Sequence, residues 1–270
     1  MMKRIALMGG GILIALGTIG VLDALGLIRV SLCGLLWAFL LIAAGVWIVW
    51  GAYVKVPYSE AQEVTIPLEG ATGARIAVFH GAGRLLVQGG AGPGEAARGT
   101  FVGGLEYDAQ REGELLNLNL RVAGQGLAAT LLPWRWIKTR GAEWSVQLNE
   151  QVPLTLKIEG GASDNRLDLS ALQVRELQIE TGASATKLTL PSNAGQTRGA
   201  ISCGAGGVEV RVPAGVAARI EAHSGLAEVK VDRSRFPRVG SGLYESPDYE
   251  TAANKVDLRV EAYLGSLEVR

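Results

Sequence analysis

The sequence is poor in the residues from which most catalytic and metal sites are assembled. Its 270 residues include two histidines, His80 and His223, and two cysteines, Cys33 and Cys203. A metal site needs clustered ligands and a disulfide framework needs matched pairs, and two widely separated cysteines supply neither. Charge of one sign is missing as well. Lys and Arg number 26, as do Asp and Glu, which excludes a general nucleic-acid binder, because phosphate neutralisation requires a basic excess. Helical periodicity is absent after Tyr53. The glycine-rich run at residues 89–99, GGAGPGEAARG, lacks the Gly-Lys-Ser/Thr ending of a phosphate loop and reads as an inter-strand loop. Asp164, Asp168, Glu176 and Glu180 alternate with basic residues, as solvated cross-strand pairs do. No nucleophile, acid–base pair or metal cluster stands out, so no enzyme activity and no cofactor is expected.

Two long apolar runs are present at the N-terminus. Residues 5–22 and 32–50 carry no charge, and the first would span about 27 Å as a helix, enough to cross a bilayer. Trp47, Trp50 and Tyr53 gather at the end of the second run as an interfacial belt, with Lys3 and Arg4 anchoring the start of the first. The short link at residues 23–31 forces an antiparallel hairpin, so residues 1–56 form one transmembrane unit and residues 57–270 a separate domain. Lys3, Arg4 and Lys55 flank the outer ends against Arg29 in the link, which places both ends, and the domain, in the cytoplasm. A signal peptide would have a shorter apolar core and a small-residue cleavage site. Were only one run to cross, the domain would lie outside. Gly9, Gly10, Gly11 and Gly17 suit close helix packing, within the hairpin or between copies in a homo-oligomer.

The remaining chain is repetitive. Four Gly-centred turns align at Gly161, Gly182, Gly204 and residues 223–225, at intervals of 21 (182 − 161), 22 (204 − 182) and about 20 residues. A unit of that length fits two short strands and two turns. Apolar residues follow each turn at every second position: Leu167 and Leu169, Leu188 and Leu190, Val208, Val210 and Val212, then Val229 and Val231. Asp168, Thr189, Glu209, Arg211, Glu228 and Lys230 occupy the other face. Glycine suits the turns because tight reversals need positive φ or close backbone approach. The pattern recurs near Val78 and in residues 260–270, while residues 232–255 read as a long loop. The fold expected is a two-helix transmembrane hairpin followed by an all-β repeat domain, a β-solenoid or a curved β-sandwich of ~20–22-residue units.

One segment suggests an interaction surface. In LLPWRWIKTRG, residues 131–141, Trp134 and Trp136 share a face if extended, and Arg135, Lys138 and Arg140 surround them. Aromatic residues among basic neighbours suit an anionic leaflet or a partner surface. The alternative is a strand end whose tryptophans cover the core.

Residues 144–191, with the strand ending VPL, the Gly-Ala turn, LDLSAL, ELQIETGAS and the closing LP, resemble the N-terminal part of the bacterial toast-rack domain of LiaF-like proteins. GGVEVRVPAGVAARIEAHSGLAEVKV and the final DLRVEAYLGSLEVR are similar to the rest of that domain and to adhesin-type β-repeats, and the hairpin is similar to the membrane region of the same proteins. The resemblance implies a bacterial cell-membrane protein acting in the cell-envelope stress response by contact with a membrane sensor or regulator, with no catalytic residues. LiaF itself has more spans than the two read here. The function expected is a membrane-anchored, non-enzymatic scaffold or regulator, its partners the lipid bilayer and a protein, and no nucleic acid. An extracytoplasmic ligand-binding or adhesin-like domain is the alternative.

Overall fold

In a computed structural model, the residues described are 61–123 and 142–270. They contain no helix; the transmembrane hairpin expected at residues 5–22 and 32–50 lies outside them, as does the segment 124–141. The chain begins with β1 (Gln62–Pro67), β2 (Gly73–Gly89), β3 (Glu95–Phe101), β4 (Leu105–Glu112) and β5 (Leu115–Val122). It continues with β6 (Glu143–Leu148), β7 (Leu154–Asp168), β8 (Val174–Thr189), β9 (Gln196–Arg211) and β10 (Ala217–Ser224). Last come β11 (Glu228–Val231), β12 (Arg238–Gly240), β13 (Leu243–Glu245) and β14 (Lys255–Val269). All belong to one mixed sheet whose centre runs β2-β7-β8-β9-β14 in parallel.

The five central strands are 15 to 17 residues long because each turns a corner without breaking. Strand β7 buries Leu154, Leu156 and Ile158 before its corner but Ser163, Asn165 and Leu167 after it. Successive side chains on a strand point to opposite faces, so this one-residue change of phase at the corner keeps both halves aimed into the same core. Strand β8 does the same with Leu177, Ile179 and Thr181, then Ser184, Thr186 and Leu188. The halves before the corners form layer A, extended by β5 and β4 at one end and by β10, β13 and β12 at the other. The halves after the corners form layer B, extended by β6, β3 and β1 and, at the far end, by β11 alone.

The sequence repeat is the register of this stack. Ile158 pairs with Ile179 and Ile179 with Ile201, steps of 21 (179 − 158) and 22 (201 − 179) residues. Each rung therefore places an isoleucine on the isoleucine of the next, all three at most 2% exposed, and each such side chain contributes about 1.5–3 kcal/mol by leaving water. The coils close through Leu169, Leu190 and Val212, whose amides donate to Thr189, Arg211 and Arg270 carbonyls at 3.0, 3.0 and 2.8 Å.

Two expectations need correction. The glycine turns do not separate two strands: the parallel ladder runs through each corner and skips one position, occupied by Gly81, Gly161, Gly182 and Gly204 in successive rungs. None of these four has a positive φ. A Cβ on Gly161 would stand 2.4 Å from the Gly81 carbonyl oxygen, one on Gly204 2.7 Å from that of Gly182, so close approach of stacked backbones is what demands glycine. Nor are residues 232–255 simply a loop. They supply β12 and β13, which cap layer A, and bury Phe236 and Tyr249. Strands of three residues are too short to show an alternating pattern in sequence.

Candidate interaction surface

The outer face of layer A carries a shallow groove of about 680 Å³ along the corners. Its floor is the bare backbone of Gly81, Gly161 and Gly182, and one wall is a rail of carboxylates, Glu159, Glu180 and Glu261. The register builds the rail, since Glu159 pairs with Glu180, and Glu180 and Glu261 both pair with Ser202. Each carboxylate is held by the residue two positions before it on its own strand, which the period of two puts on the same face. Lys157 Nζ lies 2.7 Å from Glu159, Gln178 Nε2 donates to Glu180 at 2.6 Å, and Arg259 lies 2.9 Å from Glu261. Glu159 holds the Lys157 ammonium above its ordinary pKa, mainly through their hydrogen bond. The rail is thus partly neutralised.

A second exposed feature lies where the stack ends. Val208 and Val210 in β9 and Leu267 and Val269 in β14 are buried, but the next residues in that row, Val229 and Val231 of β11, are only half-buried. Strand β11 is joined to β14 and, among the described residues, has no strand on its other edge, whereas β10, at the same level in layer A, is covered by β13. At the corner beside β11, Leu226 is 86% exposed, Tyr263 55% and Leu264 51%. The Leu226 amide donates to the Tyr263 carbonyl at 2.8 Å, so the three exposed residues are neighbours at this corner. An open strand edge beside exposed apolar side chains is the kind of surface that soluble proteins usually blunt or cover.

The titratable and nucleophilic groups are dispersed. His80 is sealed in the core, its ring edge-on to Trp144 at 5.4 Å. Burial pushes its pKa down to about 4, against a smaller opposing pull from the Ala142 carbonyl. Cys203 is a buried free thiol. His223 is exposed and lies 2.8 Å from Glu221. Among the described residues, no three His, Cys, Asp or Glu side chains come together as a metal site. Trp134, Arg135, Trp136, Lys138 and Arg140, and the membrane anchors Lys3, Arg4, Trp47, Trp50 and Tyr53, lie outside the described residues. Of the acidic residues read as surface pairs, Asp164 meets Arg84 at 3.8 Å across strands and Arg166 at 3.9 Å along its own. The glycine-rich run is half strand, and its loop is pinned by Asn149, whose Nδ2 donates to the Gly92 and Glu95 carbonyls at 3.0 and 2.7 Å. Sequence reasoning missed Asn149 and the open end at β11; the apolar Leu226 inside a polar turn was the one available signal for the latter.

Residues 55–211 match the model of the N-terminal domain of toast_rack, DUF2154, and the chain belongs to that family. Its fold is similar to a crystal structure from Clostridium sporogenes, of a protein provisionally described as a cell adhesion protein, at 20% identity and a TM-score of 0.69. The match covers 78% of this chain and 98% of that one. No curated protein matches the chain.

Proposed function

We propose that the chain is a membrane-anchored, non-enzymatic scaffold or regulator whose β-domain works by contact with a protein or the membrane surface in the cell-envelope stress response. The observation that carries this reading is the union of two charge-free runs, each long enough to span a bilayer, with a toast-rack domain that begins at residue 55. The exposed corner of Leu226, Tyr263 and Leu264 beside the open edge of β11 supports action by contact. The balance of Lys and Arg around the runs favours a bacterial cell-membrane location with the domain in the cytoplasm, where a membrane sensor is the natural partner.

A second reading, an extracytoplasmic adhesin-like or ligand-binding domain, is favoured by the likeness to the Clostridium sporogenes protein. Topology separates the two. A reporter fused after Arg270 and active on one side of the membrane, with expression checked by immunoblot, is expected to show the cytoplasmic side. An external signal would sink the first reading and support the second.

A further inference from the structure

The interior of the stack is mostly aliphatic, and next to the corners polar side chains cross from rung to rung. Asn165 Nδ2 donates to Thr186 Oγ1 at 3.2 Å, and Thr186 Oγ1 lies 3.2 Å from Ser184 Oγ. Ser184 Oγ meets Cys203 Sγ at 3.9 Å. All four residues are buried, and the chain joins β7, β8 and β9. At its β7 end it stops without closing. Asn165 Oδ1, Ser163 Oγ, Trp144 Nε1 and both ring nitrogens of His80 are buried with no partner at hydrogen-bonding geometry, although the Ala142 carbonyl is near enough to the ring to pull its pKa upward.

These unpaired groups are neighbours in register. Trp144 and Asn165 flank Leu85 on its two sides in layer B, and the His80 ring reaches Trp144 from layer A. Ser163 is the inward residue before Asn165, and its Oγ lies 2.9 Å from where a Cβ on Gly160, the register partner of His80, would stand. The corner itself marks the spot. In β2 and β9 it reads Gly-Ala-Gly, with the second glycine at φ 129° and 131°, while in β7 and β8 it reads Gly-Ala-Ser, with the serine turned inward. A buried donor or acceptor is rarely left bare, and folded proteins hold roughly one internal water per ~27 residues on such groups.

We propose that the space between His80, Trp144, Ser163 and Asn165 is a binding site for ordered water. Trp144 Nε1 donates to it, Asn165 Oδ1 accepts from it, and Ser163 Oγ and one nitrogen of the neutral His80 ring, according to its tautomer, do either. The water completes the polar chain and gives the early rungs a feature that the later rungs lack, which opposes slippage of one repeat onto the next.

The test uses the full-length protein in lipid, with ¹⁵N-labelled histidine rings and magnetisation transferred from water in solid-state NMR. His80 and His223 are the only two signals, and exposed His223 is the positive control. Transfer to the His80 ring, while the β2 amides stay protected from exchange, is expected. A His80 ring that receives nothing while His223 does would overturn the site. Asn165→Leu should abolish the His80 transfer. Should that variant fold and keep the transfer, the site as drawn is wrong; should it fail to fold, the wild-type result still decides.

Discussion

Each coil of this domain has two ends held by different physics. At the closing end Leu169, Leu190 and Val212 stack, at most 1% exposed, and side-chain volume sets the contact. At the corner end the contact is backbone on backbone, with Gly161, Gly182 and Gly204 each set against the carbonyl of the previous rung. Side-chain packing tolerates swaps of similar volume, because neighbours relax. A carbonyl facing a glycine has little room to move, so an atom added at Gly161 or Gly204 must displace backbone. That contrast fits a closing end that varies between Leu and Val and corners of β2, β7, β8 and β9 that all keep Gly-Ala, with Tyr263-Leu264 in its place in β14.

The sharpest way to break the contrast is at Gly206. Its φ is 131° and a Cβ there would meet the Ser184 oxygen at 1.9 Å. Gly206→Ala should cost about 4 kcal/mol, from backbone strain plus the clash, read as a lowered urea midpoint. Gly94→Ala, with nothing within 4 Å, should leave the midpoint unchanged or raise it slightly. At the closing end, Leu190→Ala should cost about 3–4 kcal/mol but Leu190→Met less than about 1.5 kcal/mol. Equal losses for both would show that the closing end is as intolerant as the corner.

Acid probes the corner end through His80. His80 titrates at 6.5 unfolded but at about 4 folded, so the unfolded chain takes up the proton first. Its contribution is full above pH 6.5 and is lost as pH falls through 6.5 towards 4. The gap amounts to about 3 kcal/mol. Denaturation of the wild type and of His80→Phe across pH 7 to 4 should show that slope in the wild type and not in the variant. The smallest effect belongs to the outer surface. Lys187 lies 3.4 Å from Glu209 with two thirds of its side chain in water (67%), and Lys187→Ala should shift stability by less than about 1 kcal/mol.

Much of this architecture could be read from the residues. The 21- and 22-residue intervals became the register of β7, β8 and β9, and Leu167, Leu188, Val208 and Val210 are buried as their alternation requires. The corner hid its mechanism, because a glycine kept for close approach and one kept for positive φ look the same in sequence. Ser163 and Asn165 were invisible as interior residues because polar side chains in an alternating pattern mimic a solvent face. The change of phase inside each long strand likewise made one strand look like two. The edge at β11 was read as another half-buried strand, and only the structure shows that it has no further neighbour in layer B among the described residues.

The claim that this domain acts by contact is tested most directly by photo-crosslinking in living cells. A photoreactive amino acid would replace Leu226, at the open corner of the stack, or Leu115, 43% exposed at the start of β5. A discrete protein adduct at position 226 that is absent at position 115, and lost when Tyr263 and Leu264 are both changed to serine, is the result predicted. Equal labelling at the two positions, or none at position 226 in a folded and normally expressed protein, would contradict it.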